Sequence, residues 1–323
     1  MRVLVTGGAG FIGSNLAGAL LQDERVELVR VMDNLATGSL ENIASYRYDP
    51  RFEFMEADIR DYDSCMKACE GMNAISHQAA LGSVPRSIDD PITTNNVNIT
   101  GTLNLFTAAQ KKGIKRIVYA ASSSTYGDHA ALPKQEDRIG RPLSPYAITK
   151  YVNELYAQVY ADLFGMEPVG LRYFNIFGPR QNPKGAYAAV IPLFAQALID
   201  NKPPKINGDG NHSRDFTYVD NAVQANILSL FTQNKEALNQ VYNIACGHQT
   251  SLNELFHHLR IQAGSDLQPI HGPERKGDVL HSLADITKAK NLLGYEVKVS
   301  VEEGLRKTFE WYKRGEALRL SKG

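Results

Sequence analysis

The sequence predicts a doubly wound α/β fold, a parallel sheet with helices on both faces, joined to a smaller α/β domain that binds substrate. Three observations lead there. A β-branched run, Arg2-Val-Leu-Val-Thr6, meets a glycine-rich turn and then a helical pattern. Apolar strand candidates then alternate with helix-patterned segments through the first half of the chain. Beyond about residue 175 the alternation breaks at Pro179, Pro183, Pro192, Pro203-Pro204 and the loop Asn207-Gly-Asp-Gly-Asn211. The expected division is 1–175 for the sheet domain and 176–323 for the smaller one. The two are interleaved, because the apolar run Val241-Tyr-Asn-Ile-Ala245 suits a strand returning to the main sheet.

The first βα unit carries a ligand signal. Gly7-Gly-Ala-Gly-Phe11-Ile12-Gly13 fits GxGxxG through Gly8, Gly10 and Gly13, and GxxGxxG through Gly7, Gly10 and Gly13. Glycines there let the backbone turn tightly against a pyrophosphate, and the N-terminus of the following helix (14–22) attracts the anion. The second strand, Leu28-Val-Arg-Val-Met32, ends in Asp33, twenty residues after Gly13. A carboxylate at that place accepts hydrogen bonds from an adenosine ribose and repels a 2′-phosphate. Asn34 follows rather than arginine, which favours NAD over NADP. A tight turn with no ligand is the plain alternative, and glycines, context and acid together weigh against it.

Further strands are expected at Phe52–Met55, Ala74–His77, Arg116–Ala120 and Val169–Phe174, with helices at 61–70, 95–112, 146–164 and 187–200. Asp58-Ile59 and Gln78-Ala79-Ala80 follow two strand ends, where such sheets bind ligands. They are candidate cofactor walls, or else a plain cap and a small-residue packing site. In the 146–164 helix Tyr146 and Lys150 share a face one turn apart. A lysine beside a tyrosine favours the phenolate and lowers the phenol from about 10, making it a proton acceptor. Such a pair is weak evidence alone. Roughly opposite runs an apolar stripe, Ile148, Val152, Leu155, Val159 and Leu163, while 95–112 carries Val97, Leu103, Leu105, Phe106 and Ala109 over several faces. One stripe serves the sheet. The excess predicts a homodimer through these two helices, with extra burial inside one chain as the alternative.

Composition narrows the class. The 323 residues are 43% hydrophobic and 22% charged, as in ordinary globular proteins. Equal counts of 35 basic and 35 acidic residues give no electrostatic reason for a nucleic-acid or anionic-membrane partner. Cys65, Cys69 and Cys246 make no disulfide framework, and the eight histidines, His257-His258 among them, show no ligating spacing, so no metal site is expected. No apolar run approaches the ~20 residues that span a bilayer, and the chain opens directly on a strand, so a soluble cytoplasmic protein is expected.

Together Gly7-x-x-Gly10-x-x-Gly13, Asp33, Asp58-Ile59, Ser122 to Gly127 and Tyr146-x-x-x-Lys150 resemble the extended short-chain dehydrogenase/reductase family, whose sheet domain is a Rossmann fold. LRYFNIFGPRQ (171–181), NGDGNHSRDFTYVD (207–220), RKGDV (275–279) and LLGY (292–295) look like its nucleotide-sugar branch, especially UDP-hexose 4-epimerases. SSSTYG, GAYAAVIP (185–192) and the sequence after RKGDV look most similar to UDP-N-acetylglucosamine 4-epimerases. The resemblance covers essentially the whole chain. It implies that Tyr146 is the acid/base, that Lys150 tunes it while bonding the nicotinamide ribose, and that Ser122 bonds the sugar's 4-oxygen. It places Tyr173 near the nicotinamide and Asn175, Arg214 and Arg275 at the diphosphate. Asp278 would take the uridine ribose, and Ala189-Val190 with Lys205-Ile206-Asn207 would line the uracil pocket. Arginine forks suit phosphate and a carboxylate suits a diol, although each arginine alone reads as a surface ion pair.

The implied reaction oxidises and re-reduces one carbon, with tightly bound NAD and no net redox change. Sister dehydratases carry an Asp-Glu pair after the catalytic hydroxyl, and decarboxylases a nearby Glu. Here Ser123 and Ser124 stand instead, which disfavours both reactions and offers hydroxyls to an N-acetyl group or the sugar ring. Ser282, four residues after Asp278, stands where epimerases restricted to glucose and galactose often carry tyrosine, leaving room for an acetamido group. Gly82-Ser83 departs from the lysine of glucose-type enzymes, and Ser83 is a candidate sugar contact. The expected function is UDP-GlcNAc/UDP-GalNAc 4-epimerisation, with UDP-glucose and UDP-galactose poorer substrates. A UDP-glucuronate-type epimerase, with Arg86 facing the C6 carboxylate, is one rival, and a non-catalytic NAD-binding sensor is another.

Overall fold

Strands buried on both faces, as the centre of a parallel sheet requires, organise the chain. They come from a computed structural model that describes residues 1–183, 188–274 and 281–315. β1 (Arg2–Thr6) leads through the glycine turn into α1 (Phe11–Leu21), which begins three residues before the helical pattern of the sequence does. β2 (Leu28–Asp33), β3 (Phe52–Glu56), α2 (Tyr62–Ala68) and β4 (Ala74–His77) follow. The expected 95–112 helix is divided: α3 (Val84–Asp89) and α4 (Pro91–Asn95) precede a π turn, Asn96–Gly101, and α5 (Thr102–Lys111) continues. The π turn drives the fully buried Asn98 inward, where Oδ1 accepts from Leu81 N at 2.8 Å and Nδ2 donates to Leu81 O at 3.2 Å and Thr149 Oγ1 at 3.1 Å.

β5 (Arg116–Ser122), α6 (Pro145–Phe164) and β6 (Glu167–Tyr173) complete this half. Next come β7 (Ile176–Phe177), α7 (Val190–Ile199), β8 (Lys205–Asn207), β9 (Ser213–Arg214), β10 (Thr217–Tyr218) and α8 (Val219–Phe231). β11 (Gln240–Ile244), β12 (Thr250–Ser251), α9 (Leu252–Ala263), β13 (Ile270–Gly272), α10 (Thr287–Leu293) and α11 (Val301–Lys313) end it. The main sheet has seven strands in the order β11-β6-β5-β4-β1-β2-β3, and every pair is parallel. Both the fold class and the parallel sheet agree with the sequence. Strand order reverses between β1 and β4, and the crevice beyond their C-terminal ends is the site such a topology builds.

Two apolar cores flank the sheet. One joins Leu16, Leu20 and Val219 to Phe194, Leu255 and Leu305 from the C-terminal half of the chain. The other holds Cys65, Leu105, Phe106, Ala157 and Tyr160. α6 is turned the opposite way from an ordinary amphipathic helix. Its buried face carries Lys150, Asn153, Glu154, Ala157 and Ala161, and Glu154 forks onto Arg172 at 2.7 and 2.9 Å. Its apolar stripe looks outward, with Ile148 and Leu155 each 50% exposed, Val159 46% and Leu163 70%. Among the described residues no helix is long and apolar enough to cross a membrane.

Candidate active site

A cleft of about 630 Å³ opens at the switch point and gathers most of the residues the sequence singles out. At one end Gly7, Gly10, Phe11, Ile12 and Gly13 form the floor. Two of the glycines are there for close approach. A Cβ on Gly7 would lie 2.6 Å from Ala79 N, and one on Gly13 would lie 2.2 Å from Gly7 O. The α1 N-terminus has no side-chain cap, so its first N–H groups are left for an anion in the cleft. Asp33, buried at the end of β2, accepts from Ala9 N at 2.9 Å and Leu35 N at 2.8 Å, while burial raises its carboxyl above the usual range. Asn34 donates to Asp58 at 2.7 Å; the Arg60 fork on that carboxylate pulls its pKa down to about 2. Ile59, Ala79 and Ala80 complete the wall, and Gln78, bonded to Tyr173, stands where the two ends of the cleft meet. Tight turn, free N–H groups and acid fit a dinucleotide, phosphates on the turn and adenosine ribose at Asp33.

At the other end stand Ser122, Ser123, Tyr146, Lys150, Tyr173 and Asn175. The 20-residue α6, capped by Ser144 and started by Pro145, fixes Tyr146 and Lys150 on one face. Lys150 is buried, donates to Ala120 O at 2.8 Å and has its Nζ 6.0 Å from the centre of the Tyr146 ring. Burial draws its ammonium down to about 8. Tyr146 departs from the sequence expectation. Burial raises its phenol above the ordinary value, and a Ser122 hydrogen bond only partly offsets this, so without ligands the lysine does not lower it. Ser124 also departs. Its hydroxyl donates to Ser122 Oγ at 2.8 Å, and it supports Ser122 from outside the cleft lining.

Asn175, Arg214 and Ser282 gather at one buried residue that the sequence did not mark, Asp215. Asn175, in the left-handed region at φ 40°, donates to Asp215 O at 3.1 Å, and Asp215 N donates to Ser282 Oγ at 3.4 Å. The Asp215 carboxylate accepts from Cys246 N at 2.9 Å, Gly247 N at 3.0 Å and Ala284 N at 3.2 Å. It thus ties two distant segments, Cys246-Gly247 and Ala284, beside Arg214. Neither of the two acids in RDFTYVD, Asp215 or Asp220, gives a hint of that from the sequence. Ala189 caps α7, Val190 begins it, and Lys205–Asn207 is β8. None of them lines the cleft, and the Ile206 side chain is in the apolar core. Ser83 caps α3 by accepting from Arg86 N at 3.2 Å and is also outside the lining. Arg275 and Asp278 lie outside the described residues.

Comparison with known proteins agrees with this geometry. The model of the NAD dependent epimerase/dehydratase family matches residues 3–245. A UDP-glucose 4-epimerase of Mycolicibacterium smegmatis is 38% identical over 315 residues, 97% of this chain and 99% of that protein. A UDP-glucuronate 4-epimerase of Thermodesulfobacterium geofontis is 34% identical over 318 residues, 96% of this chain and 95% of that one. The structure of a UDP-N-acetylglucosamine 4-epimerase from Methanobrevibacter ruminantium, in complex with UDP-N-acetylmuramic acid, superposes with a TM-score of 0.91 at 38% identity, covering 97% of this chain and 98% of that one.

Proposed function

The chain belongs to the NAD dependent epimerase/dehydratase family, and from that footing we propose that it interconverts UDP-N-acetylglucosamine and UDP-N-acetylgalactosamine by inversion at C4. It is an enzyme of the UDP-sugar 4-epimerase type. One observation supports epimerisation over dehydration. Among the described residues the carboxylates lining the cleft are Asp33 and Asp58, both at the adenosine end, so the chemistry end has hydroxyls, two phenols and an ammonium but no described acid to expel water. NAD supplies the acceptor and later the donor of a hydride. Tyr146 takes the proton of the 4-hydroxyl and returns it, Lys150 holds positive charge beside the phenol, and Ser122 steadies the 4-oxygen. The 4-keto sugar turns about its diphosphate between the two transfers, held by Asn175 and Arg214.

Ser282 supports the acetylated substrates. It is short, and its hydroxyl accepts from the Asp215 N–H at 3.4 Å, a contact that a larger side chain would displace. The test is purified protein with UDP-GlcNAc, UDP-glucose and UDP-glucuronate and no added NAD. UDP-GlcNAc is expected to turn over fastest. Preferred turnover of UDP-glucuronate would transfer the reading to the uronate enzymes, and no turnover with NAD bound would make the protein a sensor. Ser282→Tyr is expected to cut kcat/KM for the acetylated sugar at least tenfold more than for the plain one, and equal losses would remove Ser282 as the size gate. The outward apolar face of α6 supports a homodimer.

A further inference from the structure

Two phenols stand at the chemistry end of the cleft, and one of them, Tyr173, has its only proton committed inside the protein. Tyr173 is the sheet neighbour of Ser122, so its ring belongs to the end where hydride must pass, opposite the adenosine end at Asp33. Its hydroxyl donates to Gln78 Oε1 at 3.1 Å and accepts from Asn226 Nδ2 at 2.7 Å. Asn226 is a fully buried residue of α8, outside the cleft lining. Its Oδ1 accepts from Gln78 Nε2 at 3.0 Å and Ser76 Oγ at 3.1 Å, and its second Nδ2 hydrogen goes to Ala222 O at 2.8 Å. Gln78 Nε2 also donates to Ser76 Oγ at 2.9 Å.

Every polar hydrogen of these four side chains has an acceptor. The ring of bonds therefore admits one orientation of each amide, since turning Asn226 over would set Nδ2 against Gln78 Nε2 and Oδ1 against Ala222 O. The Tyr173 proton is committed to Gln78, and burial pushes that phenol up to about 12.

We propose that Asn226 is a positioning residue for the nicotinamide end of NAD, fixing Tyr173 and Gln78 as the wall against which that ring is set. It reaches the cofactor only through those two side chains. The proposal rests on NAD occupying the cleft and not on which UDP-sugar is turned over, so it stands or falls separately from the substrate reading.

The experiment compares NAD with ADP-ribose, which lacks only the nicotinamide. The full chain is equilibrated with a mixture of the two, and the nucleotides that remain bound after gel filtration are quantified. Asn226→Leu, close in volume and without polar atoms, is expected to shift the bound NAD to ADP-ribose ratio about tenfold towards ADP-ribose, equivalent to ~1.4 kcal/mol. Ser76→Ala removes one member of the ring at lower folding risk and is expected to shift the ratio about threefold the same way; it decides the matter if Asn226→Leu does not fold. An unchanged ratio overturns the proposal, whether total nucleotide falls, as general damage to the fold would cause, or stays the same.

Discussion

Lys150 keeps a charge where the surroundings favour losing it. Its ammonium is buried, its pKa lies near 8 instead of the usual lysine value, and desolvation is the cause. A lysine depressed in the folded state costs stability at every pH below its folded value. That cost disappears as pH rises from about 8 towards the unfolded lysine's range. Lys150→Met is therefore expected to raise the melting temperature at neutral pH by a few degrees, roughly 1–2 kcal/mol, while turnover falls at least about a hundredfold. The two melting temperatures should converge as pH climbs above 8, and a variant less stable at pH 7 would show that the ammonium stabilises the fold. Tyr146 supplies the complementary case. Tyr146→Phe keeps the ring that lines the cleft and removes only the hydroxyl. NAD and UDP should bind as before while kcat drops by about 10²–10⁴. Loss of nucleotide binding along with turnover would assign Tyr146 to the architecture of the cleft instead of the proton transfer.

At the scale of elements, the turn between β1 and α1 is the least forgiving place in the chain. A methyl on Gly13 would press on the main chain of Gly7, which cannot swing aside as a side chain can, so α1 must retreat from β1. Gly13→Ala is expected to cost about 2–3 kcal/mol in denaturant unfolding and to release NAD. Gly82→Ala, with nothing within 4 Å of its Cβ, is the matching control and should change neither. A Gly13→Ala protein that purifies with a full complement of NAD would show the helix free to shift. That turn was legible in the sequence because its demands are local: spacing alone places Gly7, Gly10, Gly13 and Asp33, and likewise Tyr146 and Lys150 on one helical face. The elements misread are those decided from a distance. The 95–112 helix is broken by Asn98 reaching across to Leu81, a contact 17 residues away in sequence. Asn226 reaches Tyr173 across 53 residues and Asp215 reaches Ala284 across 69. The direction of the Tyr146 shift was missed for a related reason. The neighbouring lysine can be read from spacing, but the burial that outweighs it is set by the whole fold.

For the whole molecule, the orientation of α6 sets the order of assembly. A helix of 20 residues is about 30 Å long. It turns lysine, asparagine and glutamate inward, and Ile148, Leu155, Val159, Leu163 and Phe164 outward. Lys150 donates to Ala120 O and Glu154 pairs with Arg172, while the buried Asn153 Oδ1 has no partner among the described residues. The outward row is spaced one helical turn apart over most of its length and is uncharged; among the described residues its members stay 46–70% exposed, although Phe164 also packs on Tyr160. The 95–112 segment expected to share the contact does not offer its apolar residues, because Leu105, Phe106 and Ala109 are buried in the chain's own core and Val97 and Leu103 pack against it. α4, which contacts α6, leaves Ile92 73% exposed. A second copy is the occupant we propose, because a two-fold axis sets the same stripe against itself and both partners are then covered at once. Burying a standard interface of about 1,600 Å² would require most of that face. Sedimentation at micromolar concentration should show a dimer. Leu155→Glu combined with Leu163→Glu should give a monomer, because each charge would have to be buried against its own copy. The double variant should still purify with NAD, since Tyr146 and Lys150 point the other way. A wild-type monomer would remove the dimer. A dimer that survives both substitutions would place the contact on another surface.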